Sequence, residues 1–313
     1  MYRSVFALLV MIQLVSCASD NECLSEVTGS EPISVTSVTK ATEGGTSSYN
    51  FGTNEIVWLW AKKTSDDSEY IKAWKLHADG NGRFSGSEKY WPSDGSLLNV
   101  YALHGNFNNS ITEGSTSWST LTSLTHTVET DQSSDANKRL SDLLYSHSSN
   151  AVALEQPVPL TFDHVLSKLC ITLKKAEGSG IEDTNLKNAK IEVSNINTVV
   201  TYDATANTIS SSGTPTTITL GQENSESTTY EAIVPSGMTV TPSVKITLNN
   251  FPVTGTTRTF SCNLSNVTFA KGNKYTFTLT LHNEIVVSAP TIKAWTKDSD
   301  TKVTIPQASV DSN

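Results

Sequence analysis

Apolar and polar residues alternate in short runs along most of this chain, and a period of two marks half-buried β-strands. Ile33-Ser34-Val35-Thr36-Ser37-Val38 is the first such run. Residues 56–61 (IVWLWA) are denser in apolar side chains and read as a central strand, with residues 70–76 as a neighbour. Ala78-Asp79-Gly80-Asn81-Gly82 predicts a hairpin turn, because its residues tolerate positive φ. Residues 97–103 give another strand. From Asn106 to Ser149 the alternation fades, and Leu140, Leu143 and Leu144 predict a turn or two of helix within 135–144. Two prolines in Gln156-Pro157-Val158-Pro159 interrupt any ladder and read as a boundary. Beyond them lies a clean alternation over 169–174. Further strand candidates follow at 190–193, 198–202, 216–220, 230–234, 243–248, 257–264, 274–281 and 285–287. Turn signals separate these at roughly the 8–12-residue spacing of sandwiches. The expected fold is all-β, with two tandem β-sandwiches over residues 33–157 and 158–313. No fixed repeat is visible, which argues against a solenoid or propeller.

Residues 1–16 break the pattern and read as an export signal: Arg3 is followed by a short apolar run from Val5 to Val15. That run is too short to span a bilayer, which takes about 20 residues. It ends in Leu14-Val15-Ser16-Cys17, where small residues before a cysteine give a lipoprotein signal peptidase access to the backbone. The Cys17 thiol then carries a diacylglycerol and its freed amine a further chain, which is enough acyl chain for stable membrane anchoring. Residues 17–32 read as a flexible tether opening on the acidic stretch Ala18-Ser19-Asp20-Asn21-Glu22. The expected location is the outer membrane as a surface lipoprotein, with the lipid as the membrane attachment.

Composition narrows the function. The chain has 313 residues and a net charge of −9, which argues against a nucleic-acid binder needing a basic surface. No His-Glu-x-x-His, Gly-x-Ser-x-Gly, phosphate-binding glycine loop or Cys-x-x-Cys is present, and the six histidines show no metal-ligand spacing. No enzyme activity, cofactor or metal is therefore expected. Asp163 and His164 are neighbours on a strand and point to opposite faces, so a structural role near the boundary is the expectation for His164. Cys170 and Cys262 are placed on an outward and an inward face and are not expected to bridge. Trp58, Trp60, Trp74 and Trp91 invite comparison with a sugar-stacking platform. Trp58 and Trp60 share one strand face, however, which favours core packing.

A set of landmarks resembles the fimbrillin-like family of Bacteroidales. They include the cysteine at 17, Thr39-Lys40-Ala41, Lys89-Tyr90-Trp91-Pro92 and Leu98-Asn99-Val100-Tyr101-Ala102. Asp142-Leu143-Leu144-Tyr145, residues 160–169 (LTFDHVLSKL), residues 274–281 (KYTFTLTL) and Ile292-Lys293-Ala294-Trp295 complete the set. The resemblance implies two transthyretin-like sandwiches and a subunit of adhesive surface fimbriae built from lipoprotein precursors. It further implies that a protease removes the first strand and a neighbouring subunit's terminal strand fills the groove by β-strand addition. The removed-strand candidates are Ile33, Val35 and Val38. The cut would fall between Lys40 and Ala41, since Lys40 is the only basic residue between Cys17 and Lys62. Donor-strand candidates are Ile285 with Val287, or Val303 with Ile305. Either pair could equally belong to the chain's own sheet edge. Expected partners are other fimbrial subunits, the outer membrane through the lipid, and host or bacterial surface ligands. A rival reading is a non-polymerising surface lipoprotein that binds glycans or proteins.

Overall fold

The computed structural model describes residues 31–37, 51–282 and 285–295; Cys17, Cys23, Val38, Lys40, Ala41, Val303 and Ile305 lie outside the described residues. The N-terminal half supplies β1 (Val35–Ser37), β2 (Ile56–Lys63), β3 (Glu69–Ala78), β4 (Phe84–Ser85), β5 (Leu98–His104) and β6 (Leu124–Thr127). Then come α1 (Asp135–Ser141), β7 (Leu144–Ala151), β8 (Val158–Leu160) and β9 (Phe162–His164). Six of these strands form one antiparallel sheet in the order β4-β3-β2-β5-β7-β9. Strand alternation turns Val57, Leu59 and Ala61 to one face, together with Val100 and Ala102 of β5. There they pack on Ile33, Val35, Val158 and Leu160 from a second layer, the parallel pair β1–β8. The opposite face carries Trp58 and Trp60, cross-strand from Leu103 and Tyr101. The proline connector does not end this half, since β8 pairs with β1 and β9 with β7.

The remaining chain begins at β10 (Ser167–Lys175), followed by α2 (Asp183–Lys187), β11 (Lys190–Ile196), β12 (Val199–Asp203), β13 (Thr208–Ser212) and β14 (Thr216–Thr219). β15 (Gly221–Gln222), β16 (Thr229–Val234), β17 (Met238–Val240), β18 (Ser243–Asn249) and β19 (Thr257–Asn263) come next. β20 (Val267–Phe269), β21 (Asn273–Leu281), β22 (Ile285–Val287) and β23 (Thr291–Ala294) close it. One sheet runs β15-β16-β10-β21-β22 with β23 also on β21, and another runs β14-β11-β18-β19. Leu169, Ile171 and Leu173 of β10 and Phe277 and Leu279 of β21 share a core with Ile191, Val193, Val244 and Ile246. Alternation on both sheets thus builds a sandwich.

The two halves interlock. β6 pairs with β12, so a strand from the N-terminal half completes the β13-β12-β6 sheet. Trp60, Leu103, Trp118 and Leu143 belong to the same hydrophobic cluster as the C-terminal sandwich. Gln132 is fully buried and uses its amide as an extra strand residue on β16. Its Oε1 accepts the Ile233 N–H at 2.8 Å, and its Nε2 donates to the Ile233 carbonyl at 2.9 Å. Beside it, Glu231 is held between Lys138 (3.3 Å) and Lys168 (2.5 Å). Burial alone would raise the Glu231 carboxyl, but the attraction and hydrogen bonds of both lysines outweigh it and hold the group below its ordinary value.

His126, on β6, is fully buried in the same region. Its Nδ1 accepts the Asn106 N–H at 3.0 Å, so Nε2 carries the proton and donates to the Ser141 carbonyl at 2.9 Å. Burial, and weakly the charge on His104, oppose protonation, while the Ser141 carbonyl and Asp142 favour it; the net pKa is pushed down to about 4. The unfolded imidazole takes up a proton near 6.5, whereas the folded one stays neutral until about 4. Above pH 6.5 this costs nothing. Below it, His126 should reduce stability by about 1.4 kcal/mol per pH unit, down to pH 4. Denaturant unfolding at pH 7.0, 5.5 and 4.5 should show a shallower decline for His126→Gln than for the unaltered chain. Equal slopes would contradict a neutral buried imidazole.

Candidate assembly site

The first described segment is gripped along both edges. On one edge β1 runs parallel to β8, with Val35 opposite Val158 and Ser37 opposite Leu160. Val158 N–H donates to the Ser34 carbonyl at 2.9 Å, and Gln156 Oε1 accepts from the Ser34 amide and hydroxyl at 2.7 and 2.8 Å. On the other edge the chain from Gly82 to Trp91 runs antiparallel, with bridges Pro32–Tyr90 and Thr36–Arg83. Ile33 N–H donates to the Lys89 carbonyl and Ser37 N–H to that of Gly82, both at 2.7 Å, while Trp91 N–H donates to Glu31 at 3.0 Å. Gly82 has φ +88°, and a Cβ there would meet Ser37 Oγ at 3.3 Å, so the approach suits glycine.

Side chains follow the same alternation. Ile33 and Val35 are 9% and 4% exposed and share a cluster with Trp91, Val158 and Leu160, whereas Ser34 is exposed. Val38, the third removed-strand candidate, lies outside the described residues. Lys40 and Ala41 do too, but Lys40 stands only three residues beyond Ser37 in the sequence. The strip that β1 occupies is therefore an apolar groove one strand wide, lined with backbone donors and acceptors.

At the other end of the chain, the donor candidates Ile285 and Val287 sit in β22, antiparallel on β21 with Val287 opposite Leu279. They are half-buried, and Val286 between them is 62% exposed. β23 pairs with the other end of β21. There Ile292 is buried, and the Trp295 ring stacks on His164 at 3.5 Å with Lys168 Nζ 5.8 Å from its centroid. Val303 and Ile305 lie outside the described residues. The segment 285–295 thus belongs to the chain's own sheet edge.

His164 bonds Asp142 through Nδ1 at 2.8 Å and stacks on Trp295, a junction role that matches its expected place. Trp60, Trp74 and Trp91 are buried, and Trp58 is half-buried. Trp60 belongs to one cluster and Trp74 and Trp91 to the other, so the four form no shared platform. Cys170 and Cys262 are both free; burial pushes each thiol up to about 11. Cys170 does face away from Leu169 and Ile171, but it is fully buried, because it is paired with Glu231 under the cover of Lys138 and Lys168. No group of three or more His, Cys, Asp or Glu that could hold a metal occurs among the described residues.

Alternation in the sequence picks out Ile33 and Val35. The opposite bank, Gly82 and Lys89 to Trp91, is seen only in the fold, because its contribution is mostly backbone.

Solved structures with the same fold include a proposed cell adhesion protein from Bacteroides uniformis, with a TM-score of 0.62 at 19% identity, covering 85% of this chain and 98% of that one. Another, from Bacteroides ovatus, has a TM-score of 0.62 at 14% identity, covering 86% and 99%. A fimbrial protein from Bacteroides vulgatus has a TM-score of 0.52 at 15% identity, covering 85% and 99%. No curated protein matches the sequence. The family model described as fimbrillin-like matches residues 39–295, and the chain belongs to that family.

Proposed function

We propose that this chain is a structural subunit of cell-surface fimbriae, made as a lipoprotein on Cys17, that polymerises by strand exchange and supports adhesion. The carrying observation is the gripped β1. It is short, alternating, held at both edges by backbone bonds, and three residues from Lys40. Cleavage after Lys40 leaves a new amino terminus at Ala41 and detaches Ile33, Val35 and Val38. Burial of Ile33 and Val35 is worth about 1.5–3 kcal/mol each, a sizeable share of a domain's marginal stability. The vacated groove then demands a replacement with the same alternation. A neighbouring subunit supplies it from its C-terminal end, through Val303 and Ile305, or through Ile285 and Val287 after these leave β21. Each subunit accepts at one end and donates at the other, so the assembly stays open and grows as a filament. The expected partners are further fimbrial subunits, and the outer membrane before processing.

A trypsin-like protease added to the purified mature chain should give a product starting at Ala41 and a ladder of polymers, while Lys40→Gln stays monomeric. Ladders from the uncut Lys40→Gln protein would rule the mechanism out. Val35→Asp places a carboxylate in the groove and should lower precursor stability by about 2–5 kcal/mol. The product starting at Ala41 should melt as the unaltered one does, because it no longer contains residue 35. An unchanged melting point for the Val35→Asp precursor would show that β1 is not a stabilising cover. Truncation after Lys297 removes Val303 and Ile305 but keeps β22 and β23. Monomers after cleavage assign the donor to 298–313, whereas polymers assign it to β22.

A further inference from the structure

A cleft of about 640 Å³ opens on the Trp58 face of the N-terminal sheet, within the range of small-ligand sites. Trp58 and Lys75 are cross-strand neighbours on β2 and β3 and form one wall. Ala136, Arg139 and Leu140 of α1 also line the cleft, as do Phe107 and Ile111. Asn54, Asn108 and Asn109 stand at the rim, all exposed and at positive φ.

The polar groups divide into spent and unspent. Arg139 Nε bonds Glu55 Oε1, so that pair is neutral. Asn106 and Asn108 give their amides to Glu129 and Thr127. Asn54 and Asn109 make no side-chain hydrogen bond among the described residues, and Lys75 has no carboxylate partner among them. Oε2 of Glu55 is likewise without a donor. Lys75 Nζ stands 5.8 Å from the centroid of the half-buried Trp58 ring.

We propose that this cleft binds a pyranose sugar bearing a carboxylate, such as a uronic or sialic acid residue of a glycan. The apolar face of the ring lies on Trp58, hydroxyls meet the two-way donor and acceptor amides of Asn54 and Asn109, and the carboxylate pairs with Lys75. A nucleotide fits less well: its phosphates need several cations, and among the described residues lining the cleft one lysine without a carboxylate partner does not supply them. A peptide amino terminus needs an accessible carboxylate, and Glu55 in the cleft gives Oε1 to Arg139 and has Oε2 buried. The site does not depend on polymerisation, because β1 covers the other face of the same sheet.

Calorimetric titration of the full mature chain with sodium glucuronate, N-acetylneuraminate and glucose tests this. Saturable binding of at least one acidic sugar is expected, preferred over glucose. Lys75→Gln should weaken the acidic sugar about fivefold and leave glucose unchanged, and Trp58→Ala should weaken both about tenfold or more. Trp58 packs against the hydrophobic core and also supports the fold, so Lys75→Gln, which keeps most of the side-chain length at an equally half-buried strand position, is the decisive variant. No saturable binding of either acidic sugar overturns the proposal. So does acidic-sugar binding that Lys75→Gln leaves intact, or glucose binding as tight as that of the acids.

Discussion

An apolar sheet face has to be covered, and in the N-terminal half the described cover is two strands of three residues each, β1 and β8. Everything proposed for assembly depends on that constraint. β8 cannot easily recruit another neighbour, since Pro159 has no N–H to give and Pro157 stiffens its approach. β1 therefore fills a slot whose other bank, the chain from Gly82 to Trp91, is fixed by the hairpin turn. What the slot recognises is generic: an extended backbone and an apolar side chain at every second residue. Such a slot selects by register rather than by unique contacts, which is the physical premise of the proposed strand exchange.

How much of this was legible in the sequence follows from what each element is made of. β2, β10, β18 and β21 announce themselves because one face is buried and the other is not, and their side chains record it. β7, by contrast, reads Leu-Tyr-Ser-His-Ser-Ser-Asn-Ala and went unseen although it lies between β5 and β9. Its place is held by backbone ladders on both sides, and its far end is exposed. β6 was hidden for another reason: its partner β12 is in the other half of the chain, and a pattern confined to four residues does not reveal so distant a pairing. A helix is present within 135–144 as α1, capped by Ser134, which accepts the Asn137 N–H, but the leucine pattern that predicted it fails: Leu140 is exposed, and Leu143 and Leu144 follow the helix, Leu144 in β7. Cys170 shows the limit of alternation. It points to the outward face as expected, yet that face is roofed by α1 and by a lysine–glutamate–lysine cluster that no local period encodes.

That cluster adds little net stability beyond what apolar residues of like volume would give, because desolvation consumes most of the attraction. Its geometry is more informative. Lys138 comes from α1, Glu231 from β16 and Lys168 from β10, so only one placement of α1 on the C-terminal sandwich satisfies all three. Gln132 fixes the same placement by completing the edge of β16, and the Asp142–His164–Trp295 stack extends it to the C-terminal segment. In a fibre joined by strand exchange, tension enters one half through the groove and leaves the other through the donor. It must cross this junction within each subunit, and the β6–β12 ladder, the buried amide and the charge cluster are the elements that resist it.

The cleft and the groove use opposite faces of one sheet, a direct consequence of the two-residue period of β2. Val57, Leu59 and Ala61 look toward β1, whereas Trp58 looks toward α1. If the covering strand is exchanged as proposed, the Trp58 face stays untouched and each added subunit would keep its cleft open. A single sugar held as proposed, by one indole, one ammonium and two amides, would bind weakly. Many such clefts on one filament raise the effective concentration of the next site for a branched or repeating glycan, and avidity then exceeds any single affinity without a new contact. The two proposals place polymerisation and ligand binding on separate faces of one sheet, so the proposed binding role does not compete with the proposed structural one.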